Sequence, residues 1–383
     1  MGTATFDQFD LDRLRERHSF KWRAYPADVL PSFVAETDFP APPCVAAALH
    51  EAVDAGDLGY AWAGGVGEAF AAFAGARHGW TVDPDRVLLT ADVMSGVDEV
   101  LGHVTAPGDG VVINPPVYPP FFRHIEALGR RVVGAPLART GTRWEIDLDA
   151  VEAAFRGGAC AYLLCSPHNP TGRVWSRAEL EAVAALADRY GVTVVADEIH
   201  APLTLAGATH VPYLSLGEVA AAHAVVVTST SKAFNLPGLK SAVIVVGSDA
   251  VLTALAGRPD WMVLRAGILG ILASLAAWCD GGPWLDELLR HLDGTRRRMG
   301  ELLEAHLPEV GYEPPEATYL AWLDCRALGL GDEPAATFLE RGGVALGRGL
   351  DFGAPGAGHV RVTMGTTPAI LEQLVERMAV AVR

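Results

Sequence analysis

The chain has 383 residues, half of them hydrophobic and only 20% charged, enough apolar material for a large core and too few charges for long disordered stretches. A formal net charge of −16 excludes a surface built to bind nucleic acid, which needs clustered Lys and Arg. No apolar stretch is long enough to span a bilayer, Met1 to Arg17 is polar rather than signal-like, and the five cysteines show neither metal-ligand spacing nor a disulfide framework, so a globular protein of the cytoplasm is expected.

Residues 1–45 carry many aromatics and little regular pattern. They are expected to form an arm packed on a smaller domain or on a partner subunit. From 46 to 280, helical patterns alternate with short apolar runs at 86–89, 110–113, 131–134, 161–164, 193–196, 224–227 and 241–246. This alternation predicts an α/β domain, a mostly parallel sheet wrapped by helices, with ligands bound at the carboxyl ends of the strands. After Gly281-Gly282-Pro283 the pattern changes to a long helix near 284–307, strands near 318–324, 344–346 and 359–363, and a closing helix from Pro368. That part, 281–383, is expected to be a smaller α+β domain.

Several chemically pointed segments follow the strands. Thr90-Ala91-Asp92-Val93-Met94 opens a helix, whose free amides at Val93 and Met94 suit a phosphate, with Asp92 as the cap. Asn114-Pro115-Pro116-Val117-Tyr118 follows the next strand. In Ser166-Pro167-His168-Asn169-Pro170-Thr171-Gly172, prolines and a glycine hold Asn169 in a rigid turn. Asp197 ends a buried strand, where a carboxylate is costly without a cationic partner, and Glu198 and His200 follow it. Lys232, in Ser229-Thr230-Ser231-Lys232, stands at the mouth of a packed strand. Desolvation there disfavours its ammonium and makes a neutral amine available for imine chemistry, and the hydroxyls of Ser229 and Ser231 with Lys240 suit a phosphate dianion. Arg361 lies within an apolar strand, and its planar fork suits a carboxylate.

The run Ser229 to Lys240 resembles the lysine segment of fold-type I enzymes that use pyridoxal 5′-phosphate (PLP). Lys21-Trp22, Asp28-Val29-Leu30-Pro31, Asp38-Phe39-Pro40, Gly59-Tyr60, the Asn169 turn, Asp197-Glu198-Ile199-His200 and Ala317-Thr318-Tyr319 resemble the MalY/PatB branch of class I/II aminotransferase relatives. The resemblance implies that Lys232 carries PLP and removes the substrate Cα proton. It implies that Asp197 pairs with the pyridine nitrogen, Asn169 and His200 lie at the phenolic oxygen, Tyr118 stacks on the ring, and Arg361 grips the α-carboxylate. Asp38 is placed on the substrate side, and Tyr60 crosses a homodimer boundary to the partner's phosphate. The activity so implied is β-elimination on cystathionine or another cysteine S-conjugate, giving a thiol, pyruvate and ammonia. An aminotransferase or a decarboxylating deaminase is the alternative, and a non-catalytic regulator a further one. Glu36-Thr37, Ile268 and Arg361-Val362-Thr363 depart from the branch's usual residues near the expected substrate side.

Overall fold

The computed structural model describes residues 6, 9–257 and 259–383. Residues 1–5, 7 and 8 of the expected arm lie outside the described residues. Among the described residues, seven strands form the main sheet in the spatial order Val87–Thr90, Ala242–Val246, Ala224–Thr228, Thr193–Asp197, Ala159–Cys165, Gly110–Ile113 and Arg131–Gly134. Ala242–Val246 is antiparallel to both of its neighbours, and all other adjacent pairs are parallel. Alternation along these strands divides their side chains between two cores. Leu164, Val194, Ala196 and Val226 pack on one side with the helices Val66–His78, Arg177–Tyr190 and Ile268–Asp280. Leu163, Val195, Val225 and Val227 pack on the other with Val93–Val104 and Pro120–Ala127. Burial on both faces explains why these strands read as continuous apolar runs. The expected α/β sheet wrapped by helices is what the chain forms.

Helix boundaries follow local chemistry. Arg177–Tyr190 starts at a capping box of Ser176 and Glu179 and stops at Gly191, whose φ of 66° is the left-handed form that glycine tolerates. Gly282–His306 carries Pro283 in its first turn, where the missing amide costs nothing.

Gly311–Tyr312, Leu320–Asp324, His359–Thr363 and Gly347–Arg348 form a four-stranded antiparallel sheet, in that order. It packs with Pro368–Ala381 and the second half of Gly282–His306 around a separate core that also takes Leu14, Trp22 and Leu30. Two expected strands differ in detail. The one expected at 318 begins at Leu320, because Thr318 has a φ of 75° and donates its amide to the Leu203 carbonyl at 2.9 Å. The strand expected at 344–346 is Val344–Ala345 and pairs in parallel with Leu30–Pro31, while an unexpected short strand, Gly347–Arg348, enters the four-stranded sheet. No single helix among the described residues is long and apolar enough to cross a membrane.

Candidate active site

A cavity of about 370 Å³ opens at the carboxyl ends of the main strands. Its walls include Asp92, Val93, Met94, Tyr118, Asn169 and Asp197, together with His200, Ser229, Ser231, Lys232 and Lys240. Positions separated by up to 148 residues in sequence are thus brought to one place because each lies at the same edge of the sheet, at or after a strand's carboxyl end or, for Lys240, just before the antiparallel Ala242–Val246.

Lys232 lies in the turn after Ala224–Thr228 and donates from Nζ to the Ala35 carbonyl at 2.8 Å. Burial, aided by Arg361, lowers its pKa from the usual 10.5 to about 8 against the opposing pull of Glu36 and Asp197. Asp197 ends Thr193–Asp197 and accepts the Ile199 amide at 3.1 Å. Burial raises its pKa to about 7, although that amide and Lys232 both favour the anion. Glu198, the neighbouring acid, points to the opposite face, as strand alternation dictates. There it accepts the Tyr213 amide at 2.7 Å and meets His210 at 3.1 Å, so it is a structural acid.

His200 is buried, and its Nδ1 has no hydrogen-bond partner; burial lowers its pKa to about 3. Asn169 accepts from Arg361 Nη1 at 3.2 Å, which brings that guanidinium beside the cavity. Arg361 also donates to the Phe33 carbonyl at 2.7 Å, lies over the Phe352 ring at 5.1 Å, and keeps a buried Nε without a partner. Burial brings its pKa down to about 10.

At the other end, Asp92 caps Val93–Val104 by accepting the Ser95 amide at 2.8 Å, as its sequence position suggests. Lys240 donates to the second oxygen of Asp92 at 2.9 Å, a pairing that neither residue's local sequence reveals. The Ser229 hydroxyl donates to the Ser241 carbonyl at 2.6 Å and accepts the Ser231 amide at 3.1 Å, so it braces the turn that presents Ser231.

Two expected site residues lie elsewhere in the chain. Asp38, expected on the substrate side, is buried in an ion pair with Lys21 at 2.7 Å and is not among the residues that line the cavity. Tyr60 is 86% exposed and is not part of the cavity wall of its own chain.

The cavity also takes residues that sequence reading missed. Ala35 presents its carbonyl to both Lys232 and the Tyr319 hydroxyl, the latter at 3.0 Å. A backbone carbonyl leaves no mark in a sequence. His124 joins the wall with Nδ1 at 2.9 Å from Asp98, a pair 26 residues apart with no local pattern. Cys165, buried next to the Asn169 amide, also lines it.

Residues 37–378 match the family described as aminotransferase class I and II. The chain belongs to that family. A Mycobacterium tuberculosis protein provisionally named a cystathionine β-lyase is 45% identical, with 97% of each chain covered. Cystathionine β-lyase PatB of Bacillus subtilis is 36% identical, with 92% of each covered. Among solved structures, the PLP-bound C–S lyase of Staphylococcus hominis is 26% identical with a TM-score of 0.90, covering 99% of this chain and 98% of that one. As a member of the class I and II aminotransferases with PLP-bound neighbours at this similarity, the chain uses PLP. Its cavity suits that group on its own terms. Asp197 is a buried acid within 4 Å of no cationic side chain among the described residues, which a protonated ring nitrogen would pair, and the unpartnered His200 Nδ1 adds a polar group at the same wall. Helix-start amides at Val93 and Met94, with Ser231 and Lys240, line the other end and would suit the phosphate, and Lys232 would offer the amine.

Proposed function

We propose that this chain is a PLP-dependent carbon–sulfur lyase that cleaves cystathionine or another cysteine S-conjugate by β-elimination, releasing a thiol, pyruvate and ammonia. The observation that carries the reading is the shared placement of a buried, depressed-pKa Lys232 and a buried Asp197 in one cavity with Arg361 at its edge. The relatives and solved neighbours named for cystathionine β-lyase and C–S lyase activity support the choice of reaction.

Bound in this cavity, PLP supplies an electron sink for negative charge at the substrate Cα. Arg361 takes the α-carboxylate through its planar fork and so orients the Cα–H bond. Lys232, with a pKa near 8, has an accessible neutral amine and accepts the Cα proton at Nζ. Asp197 would hold a proton on the ring nitrogen, Asn169 and His200 would stand at the phenolic oxygen and Tyr118 at the ring, and Val93, Met94, Ser231 and Lys240 would hold the phosphate, with Ser229 bracing the turn that carries Ser231. The Cβ–S bond breaks to release the thiolate, which leaves with a proton as the thiol. The remaining three-carbon enamine takes up water to give pyruvate and ammonia.

The assembly belongs to the same reading. Leu58, Tyr60 and Trp62 are exposed on one irregular segment, and in a homodimer this segment crosses to the partner, where Tyr60 meets the cofactor phosphate. A cytoplasmic location agrees with five unpaired cysteines. Steady-state pyruvate release from L-cystathionine tests the activity. The expected result is turnover by the wild type and none by Lys232→Ala; absence of turnover on cystathionine and on a panel of S-alkyl cysteines would remove the lyase assignment.

A further inference from the structure

We propose that Asp92 limits how tightly the protein holds its cofactor. Its carboxylate competes with the cofactor phosphate for Lys240 and for the positive end of Val93–Val104, so neutralising it tightens PLP binding. The inference rests on reading this end of the cavity as the phosphate site.

Asp92 and Lys240 both line the cavity, with Lys240 Nζ 2.9 Å from one Asp92 oxygen and the Ser95 amide 2.8 Å from the other. The carboxyl stays below its ordinary pKa; burial alone would raise it, but the Ser95 amide and Lys240 outweigh that, so it is anionic at neutral pH. A phosphate dianion entering this end therefore meets a cation already neutralised and a second anion in the same shell. The helix dipole is shared in the same way, because the capping carboxylate occupies its N-terminus. Lys240 meets Asp92 from a fixed backbone, although its side chain is more than half exposed. Its backbone has a φ of 55°, and its carbonyl is tied to the Gly267 amide at 2.9 Å, which fixes the direction from which its side chain enters. Asp98, about two turns along the same helix, is engaged with His124 at 2.9 Å, outside the Asp92–Lys240 pair.

Asparagine caps a helix as well as aspartate does, so Asp92→Asn removes the charge and keeps the cap. The test is an equilibrium titration of the cofactor-stripped full chain with PLP and, separately, with pyridoxal, which lacks the phosphate. Intrinsic fluorescence and cofactor absorbance report binding. Asp92→Asn should lower the Kd for PLP by roughly three- to tenfold, the scale of one half-exposed charge beside a phosphate, and leave that for pyridoxal unchanged. Glu301→Gln, an exposed acid paired with Arg298 on Gly282–His306 away from the cavity, should leave both within about twofold, since distant surface charges are screened. A PLP Kd that is unchanged or raised in Asp92→Asn overturns the inference, and so does equal tightening toward pyridoxal. Lys240→Met separates this from the underlying reading. Loss of PLP affinity without loss of pyridoxal affinity keeps the phosphate site where it is, whereas indifference of both ligands to Lys240→Met removes that site and the inference with it.

Discussion

Burial moves Lys232 and Asp197 in opposite directions, to about 8 and about 7, and each is left poised for a proton that bulk water would settle differently. In the cofactor-stripped chain this has a measurable consequence. Asp197 keeps its proton in the folded state up to about pH 7 but loses it near 3.8 when unfolded, so the folded state binds more protons across that window and stability falls as pH rises through it. Lys232 gives the opposite slope: between about 8 and 10.5 the unfolded state binds more protons, and stability rises with pH. The partly buried His78 and the buried His168 and His200, with pKa values lowered to about 3, 4 and 3, also oppose Asp197 over its own range, so the test is a difference. Between pH 4 and 7 the urea midpoint of stripped Asp197→Asn should rise with pH more steeply than that of the wild type, and an identical slope would contradict the raised Asp197 pKa. In the loaded enzyme the same substitution should cost about 10²–10³ in turnover, the scale of a lost preorganised electrostatic partner. Arg361→Lys should raise KM for amino-acid substrates or lower kcat/KM by about 1.5–3 kcal/mol, with the cofactor still bound, because a point charge replaces a fork. An S-substituted cysteamine, which has no carboxylate, should be a poor substrate that responds little. Equal losses for the two compounds would make Arg361 a support of the fold instead.

At the scale of elements, the segment 33–39 ties the arm to the site. Arg361 donates to the Phe33 carbonyl, Lys232 to that of Ala35, and Asn235 exchanges three hydrogen bonds with Thr37 and Phe39. The buried Lys21–Asp38 pair fastens its far end. Lys21→Met leaves Asp38 buried without its partner and should cost about 3–5 kcal/mol in urea unfolding, with Lys21→Met/Asp38→Asn recovering part of it. A loss under 1 kcal/mol would mean that water reaches Asp38. None of this strap was legible in sequence, since most of its contacts are backbone carbonyls and the rest join residues far apart. The sheet was legible for the converse reason. Gly110–Ile113 matches the expected bounds because it lies inside the sheet and is buried along its whole length, whereas Arg131–Gly134, the partly exposed edge strand, was marked only by its Val132-Val133 pair. Strand ends in the smaller sheet were less so, because Thr318 turns by a tertiary contact to Leu203 and Val344 finds its partner in the arm. At the site, residues with a local reason to stand after a strand were readable, while the Lys240–Asp92 and His124–Asp98 pairs were not.

At the scale of the whole molecule, Leu58, Tyr60 and Trp62 form an exposed apolar run that the single chain does not cover. If it completes a partner's site, sedimentation should give twice the chain mass, and Tyr60→Phe should weaken PLP binding without altering the fold by circular dichroism. A monomer with full activity would contradict the shared site. The products formed from L-cystathionine separate a lyase from an aminotransferase. The enzyme is incubated with L-cystathionine, and thiol, pyruvate, ammonia and the substrate-derived keto acid are quantified in the same samples over time. Thiol, pyruvate and ammonia rising in equal amounts, with no keto acid that retains the sulfur substituent, is the result expected. Accumulation of that keto acid without thiol would contradict it and make the chain an aminotransferase.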